Sequence, residues 1–75
     1  MNIVLFGQLT DITGSESIRL TGIADTDSLV KELNGRYPAI KAAKYIIAVD
    51  KKIISANTIL TDNSAIALLP PFSGG

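Results

Sequence analysis

The chain has 75 residues with seven basic and seven acidic side chains, so its formal net charge is zero. A neutral chain is a poor binder of nucleic acid by phosphate neutralisation, and the lack of cysteine and histidine excludes disulfides, zinc–thiolate sites, persulfide carriage and the commonest general base. What remains is one small domain that must be held by its core, for which 47% hydrophobic residues is suited, since chains of this size bury only about 60% of the surface their unfolded state exposes.

The first predicted element is a strand over Asn2–Phe6. Its unbroken run Ile3-Val4-Leu5-Phe6 is the mark of a strand covered on both faces. Gly7 follows, and Gln8–Thr13 reads as an irregular or short helical connection closed by Gly14. From Glu16 to Thr21 the pattern alternates, Ile18 and Leu20 one way and Ser17, Arg19 and Thr21 the other. That predicts a half-exposed strand antiparallel to the first.

Thr26 or Asp27 can cap a helix whose first turn carries acid near its positive end. Leu29, Val30, Leu33 and Tyr37 then form one apolar stripe. Asn34-Gly35 weakens the last turn, Pro38 ends it, and Ala39–Lys44 adds a further helical turn. Phe6 and Tyr37 read from their apolar positions as core residues.

Tyr45–Val49 is a second run of β-branched and aromatic residues, Asp50-Lys51-Lys52 turns the chain, and Ile53-Ile54 begins a short returning strand. Asn57–Asp62 is loop-like with Ile59 and Leu60 tucked inward. Asp62-Asn63-Ser64 is a turn in which Asn63 can take left-handed backbone. Ala65–Leu69 is a final apolar strand running into Pro70. The order of elements implies an α+β domain with its helix packed on one face of the sheet.

No apolar run approaches the roughly 18–20 residues of a membrane helix, and Met1-Asn2-Ile3 lacks the basic start of a signal peptide. The expectation is a soluble cytoplasmic protein with no membrane or nucleic-acid partner and no metal. Lys41, Lys44, Lys51 and Lys52 make a basic middle that reads as a solvated face, whereas from Ile53 to Gly75 only Asp62 is charged. Neutral apolar surface of that kind marks partner interfaces.

The chain closes on Pro70-Pro71-Phe72-Ser73-Gly74-Gly75. At a glycine usage of about 7%, a terminal pair arises by chance in roughly one chain in two hundred. Pro70 and Pro71 cannot donate to a ladder, so the strand must stop and an extended segment must follow. Phe72 offers an apolar anchor, and Ser73, Gly74 and Gly75 are thin enough to thread a narrow channel. The reactive group is then the carboxyl of Gly75. An ionised carboxylate is a poor electrophile and needs activation, most simply as an acyl-adenylate; with no phosphate-cradling motif here, the ATP site must lie on another protein.

In these residues the chain resembles the small subunits of molybdopterin synthase, which are ubiquitin-like sulfur carriers. The resemblance runs through Ile3-Val4-Leu5-Phe6-Gly7-Gln8-Leu9, Asp11 and Gly14, the Asp27–Leu33 helix, Tyr37-Pro38, and without a gap from Val49 to Gly75. It implies a β-grasp fold over residues 1–69, a mixed sheet with the first and last strands side by side at its centre, and a reactive tail over residues 70–75. It also implies a cycle. A ubiquitin-activating-type enzyme adenylates Gly75, a sulfurtransferase system makes the thiocarboxylate, and the tail enters the large synthase subunit of a heterotetramer. There sulfur passes to cyclic pyranopterin monophosphate. This chain would be the non-catalytic sulfur donor and bind no cofactor itself.

On the same resemblance Gly74, Ser73, Phe72, Pro71 and Pro70 are tail contacts, and Phe6 and Leu69 face the partner. Three positions depart from the family pattern: Asp62-Asn63-Ser64-Ala65 lacks two acids of an Asp-Gly-Asp-Glu turn, Asp50 stands for an Asn, and Phe72 for a Val or Ile. Competing readings are a sulfur carrier for thiamin thiazole synthesis, a protein modifier joined through Gly75 to lysines, and a β-grasp binding module with an idle, disordered end.

Overall fold

The structure, a computed structural model, describes residues 1–71. The N-terminal apolar run becomes β1 (Asn2–Leu5), followed by α1 (Gln8–Thr13) and β2 (Ser17–Arg19). Next come α2 (Thr26–Arg36), a 3-10 helix (Pro38–Ala42), β3 (Ile46–Val49), β4 (Lys52–Ile53) and β5 (Ala65–Leu69). The sheet order is β2-β1-β5-β3-β4. β1 and β5 pair in parallel, with Ile3 opposite Ile66 and Leu5 opposite Leu68, while the other three pairings are antiparallel. This is the mixed β-grasp sheet, with its first and last strands adjacent and β5 at the centre.

One core holds the domain. Ile3 and Leu5 of β1, Ile66 and Leu68 of β5 and Val49 of β3 meet Leu9 of α1, Leu29 and Leu33 of α2, and Ile40 of the 3-10 helix. Tyr37 is half-buried against this cluster, as its place on the helix stripe implies. Phe6 is different: it is 44% exposed and lies outside the core, which corrects the reading of it as a core residue. The reading of β1 as covered on both faces is corrected with it. Val4 is only half-buried and belongs to no core cluster. The run is apolar throughout because its outer face is apolar too, although no described element packs there.

Helix α2 is fixed by a cap that the sequence reading, with Thr26 or Asp27, misplaces by one or two residues. Asp25, not Thr26 or Asp27, is the N-cap, its Oδ1 accepting from the Ser28 amide at 2.9 Å. Asn57, thirty-two residues on, completes the arrangement: its Oδ1 accepts from the Asp27 amide at 2.9 Å and its Nδ2 donates to Asp25 Oδ2 at 3.1 Å. These hydrogen bonds, those from Ser28 foremost, hold the Asp25 carboxyl below its ordinary pKa. The loop after β4 is thereby tied to the start of the helix.

Two further expectations are corrected. Ile59 is 77% exposed, and only its neighbour Leu60 enters the core. The backbone amides of Thr26 and Leu60, bonded to Thr58 and Ala24, fix this segment's orientation. The left-handed backbone falls at Asp50 (φ 49°) and Lys51 (φ 72°), not at Asn63. A tight connection between β3 and β4 needs two such residues. Asp50 also accepts the Ala65 amide on Oδ1 at 3.0 Å and donates its own amide to the Ala65 carbonyl at 2.8 Å, so an aspartate serves there as a short polar bracket. No helix among the described residues is long and apolar enough to cross a membrane.

Candidate functional site

The parallel pairing of β1 with β5 decides where the tail begins. Both strands finish at the same end of the sheet, so Leu69 and Pro70 leave the centre of the molecule with Phe6 and Gly7 on one side. The Phe6 amide donates to the Leu68 carbonyl at 3.2 Å, holding the two exits together. On the other side, antiparallel β3 sets Ile46 opposite Leu69, with Tyr45 just before it. Burial against the inner core pushes the Tyr45 phenol above its ordinary pKa.

Alternation along the strands sorts the side chains. Ile66 and Leu68 of β5 point into the core; Ala65, Ala67 and Leu69 point away from it. By register, Val4 and Phe6 of β1, Ile46 and Ala48 of β3 and Ile53 of β4 share that outer face. Ile53 is 68% exposed and Phe6 is 44% exposed. Ala48 is buried yet separate from the main core, lying between Ala67 and Ile53 in the sheet. The outcome is an apolar surface that runs up to the tail root, of the kind that marks a protein partner.

Of the sequence-predicted site residues, Pro70 is exposed, Pro71 and Leu69 are half-buried, and Phe6 stands beside them on the adjacent strand. Phe72, Ser73, Gly74 and Gly75 lie outside the described residues. The sequence reading missed Val4, Ile46 and Ile53 as members of the same face, because only the strand register brings them together. It also gave Gly7 no role, although the sequence carries one signal for it: a glycine directly after an apolar strand. The Asp62-Asn63-Ser64 turn sits at the opposite end of β5, roughly 17 Å from the tail root at about 3.3 Å per strand residue. It is held locally, with Ser64 Oγ accepting the Thr61 amide at 2.9 Å. Among the described residues, no three acidic side chains cluster as a metal site would require.

The sequence matches the ThiS family over residues 3–75, nearly its whole length. The chain belongs to the ThiS family. One relative is the molybdopterin synthase sulfur carrier subunit of Mycobacterium tuberculosis, 28% identical over all of this chain and 96% of the relative. The fold matches a Pyrococcus furiosus protein described as molybdopterin converting factor subunit 1, with a TM-score of 0.79, 22% identity and 95% of each chain covered. It also matches the small archaeal modifier protein 1 of Methanosarcina acetivorans, with a TM-score of 0.80, 24% identity, and coverage of 99% of this chain and 94% of the other. The β-grasp architecture implied by the resemblance is thus that of the solved neighbours of this ThiS-family chain.

Proposed function

We propose that this ThiS-family chain is the sulfur carrier of a molybdopterin synthase. The carboxylate of Gly75 attacks the α-phosphorus of ATP on a ubiquitin-activating-type partner, forming the acyl-adenylate and releasing pyrophosphate. A persulfide of a sulfurtransferase system then displaces AMP, and a thiol cleaves the resulting acyl disulfide, forming a new disulfide and leaving a thiocarboxylate. In the large synthase subunit that sulfur passes to cyclic pyranopterin monophosphate, and water returns the carboxylate. Each carrier brings one sulfur, and a dithiolene needs two, which fits a heterotetramer with two copies of each subunit. ATP binds the activating partner, and the work belongs in the cytoplasm.

One observation carries this reading: the last strand is the central strand, and its exit through Pro70-Pro71 stands beside an apolar face with Phe6 at its edge. A rigid centre that hands its chain end outward next to a docking surface suits delivery of a carboxyl into another protein's pocket. The Mycobacterium tuberculosis relative, matched over 96% of its length, supports the molybdopterin pathway over the thiazole pathway. The likeness to an archaeal modifier protein favours a second reading, in which Gly75 is joined to target lysines.

Deletion of Gly74-Gly75 tests the carrier reading. The shortened chain should keep its thermal midpoint and its binding to the large subunit, yet support no dithiolene formation with purified partners. Intact mass spectrometry of protein from its host should show exchange of one oxygen for sulfur. Conjugates of high mass that vanish with the deletion, without any such exchange, would establish the modifier reading instead.

A further inference from the structure

Beside the tail root lies a position where a side chain would be crowded. Leu5 is opposite Leu68 in the parallel pair, so one step beyond the Phe6–Leu68 hydrogen bond Gly7 comes alongside Pro70. A Cβ built on Gly7 would stand 3.2 Å from Pro70 Cγ, closer than the roughly 3.5–4 Å at which carbon atoms pack comfortably. Gly14, Gly22 and Gly35 have nothing within 4 Å of the same position. Gly7 also has φ 61° and ψ −139°, a backbone region essentially closed to residues with a Cβ. Thr10 holds that bend by donating its hydroxyl to the Gly7 carbonyl at 2.8 Å. The turn out of β1 therefore calls for glycine, and a Cβ there would also press Pro70 back by a few tenths of an ångström.

Pro70 has its own φ fixed near −65°. Leu69 and Pro70 each precede a proline, which keeps both extended. With the ring of Pro70 against the bare Cα of Gly7, the heading of the chain is set by the sheet backbone. We infer that Gly7 is a positioning residue for the tail: its missing side chain forms the seat for Pro70 and fixes the direction in which the segment after Pro71 leaves the domain. The inference rests on the carrier reading, because aim matters only if the tail must enter a partner's pocket. A pre-set heading lowers the ordering cost of entry, and small misplacement of a reacting group lowers rate steeply.

The test uses the intact carrier with a ubiquitin-activating-type enzyme, following ATP–pyrophosphate exchange at saturating carrier. Gly7→Ala should lower turnover about tenfold, while the Kd of the carrier–enzyme complex changes less than about twofold because the outer sheet face is untouched. Pro70→Ala should keep the thermal midpoint and also lower turnover several-fold. The double variant should be no slower than Gly7→Ala alone, since one change fills the seat and the other removes its occupant, so that either one already breaks the same contact. Wild-type turnover by either single variant, or losses that multiply in the double variant, would overturn the inference.

If Gly7→Ala does not fold, Pro70→Ala and a nuclear Overhauser contact between Gly7 Hα and Pro70 Hγ in the unaltered protein decide the matter. Loss of turnover with the contact present supports the seat; absence of the contact overturns it. An unaltered protein that gives no exchange overturns the carrier reading and the functional half of this inference, while the Overhauser contact still reports whether the seat exists.

Discussion

Strand β5 shows two regions of the molecule on five consecutive residues. Ile66 and Leu68 are sealed into the core, Leu68 with no exposed surface at all, whereas Ala67 and Leu69 are half-buried under nothing but their strand neighbours. Both sets are apolar, and their spacing in the chain is the same. The difference lies in what covers them: α1, α2 and the 3-10 helix all join the inner core, and no described element packs on the outer face. An apolar residue in this domain therefore does one of two jobs. Inward it supplies stability; outward it leaves an exposed apolar surface.

Leu68→Ala should separate these jobs most sharply. Removing a fully buried leucine should cost about 3 kcal/mol. Small domains carry roughly 0.05–0.15 kcal/mol per residue, so urea unfolding should show much of the stability gone. On the outer face, Phe6→Ala should leave the unfolding free energy within about 0.5 kcal/mol. It should weaken calorimetric binding to the large subunit about tenfold, as expected of an aromatic anchor. A Phe6→Ala protein that melts early yet binds normally would collapse the distinction between the faces.

Changes at a third place sharpen the comparison by moving stability without touching either face. Lys51→Gly would release the left-handed strain at φ 72° and give the Asp-Gly pair that such hairpin turns favour. It should raise unfolding stability by about 0.5 kcal/mol, after the entropic penalty of glycine, and leave partner affinity unchanged. The smallest effect concerns Asp25. Its carboxyl is held below the ordinary value, so its contribution is present above the unfolded carboxylate pKa and is lost as pH falls through the folded one. Stability measured from neutral pH down to about pH 3 should decline less steeply in Asp25→Asn than in the unaltered protein.

Much of this was legible in the residues. Period and punctuation located every element: the alternation around Ile18, the stripe from Leu29 to Tyr37 and the stop at Pro70 each follow from local chemistry. The errors share a cause. Asp25 becomes the cap because Asn57 reaches it from thirty-two positions away, and Ile59 turns outward because Thr58 and Leu60 are bonded to Thr26, where α2 starts, and to Ala24 before it. The apolar run of β1 was read as evidence of two covering layers within the chain. The sequence reports that a surface is apolar, not which molecule will cover it. The face joining Val4, Phe6, Ile46, Leu69 and Ile53 needed the strand register, and Gly7 needed the parallel partner that brings Pro70 beside it.

The pairing of Asn2 with Ala65 bears on how the domain is made. Its middle ladder joins the first strand of the domain to its last, so segments about sixty residues apart must meet before the core can close. While a ribosome still shields the stretch from Ala65 to Leu69, β1 lacks its central neighbour and the helices lack half their floor. A folded globule thus certifies that translation has run at least through Leu69.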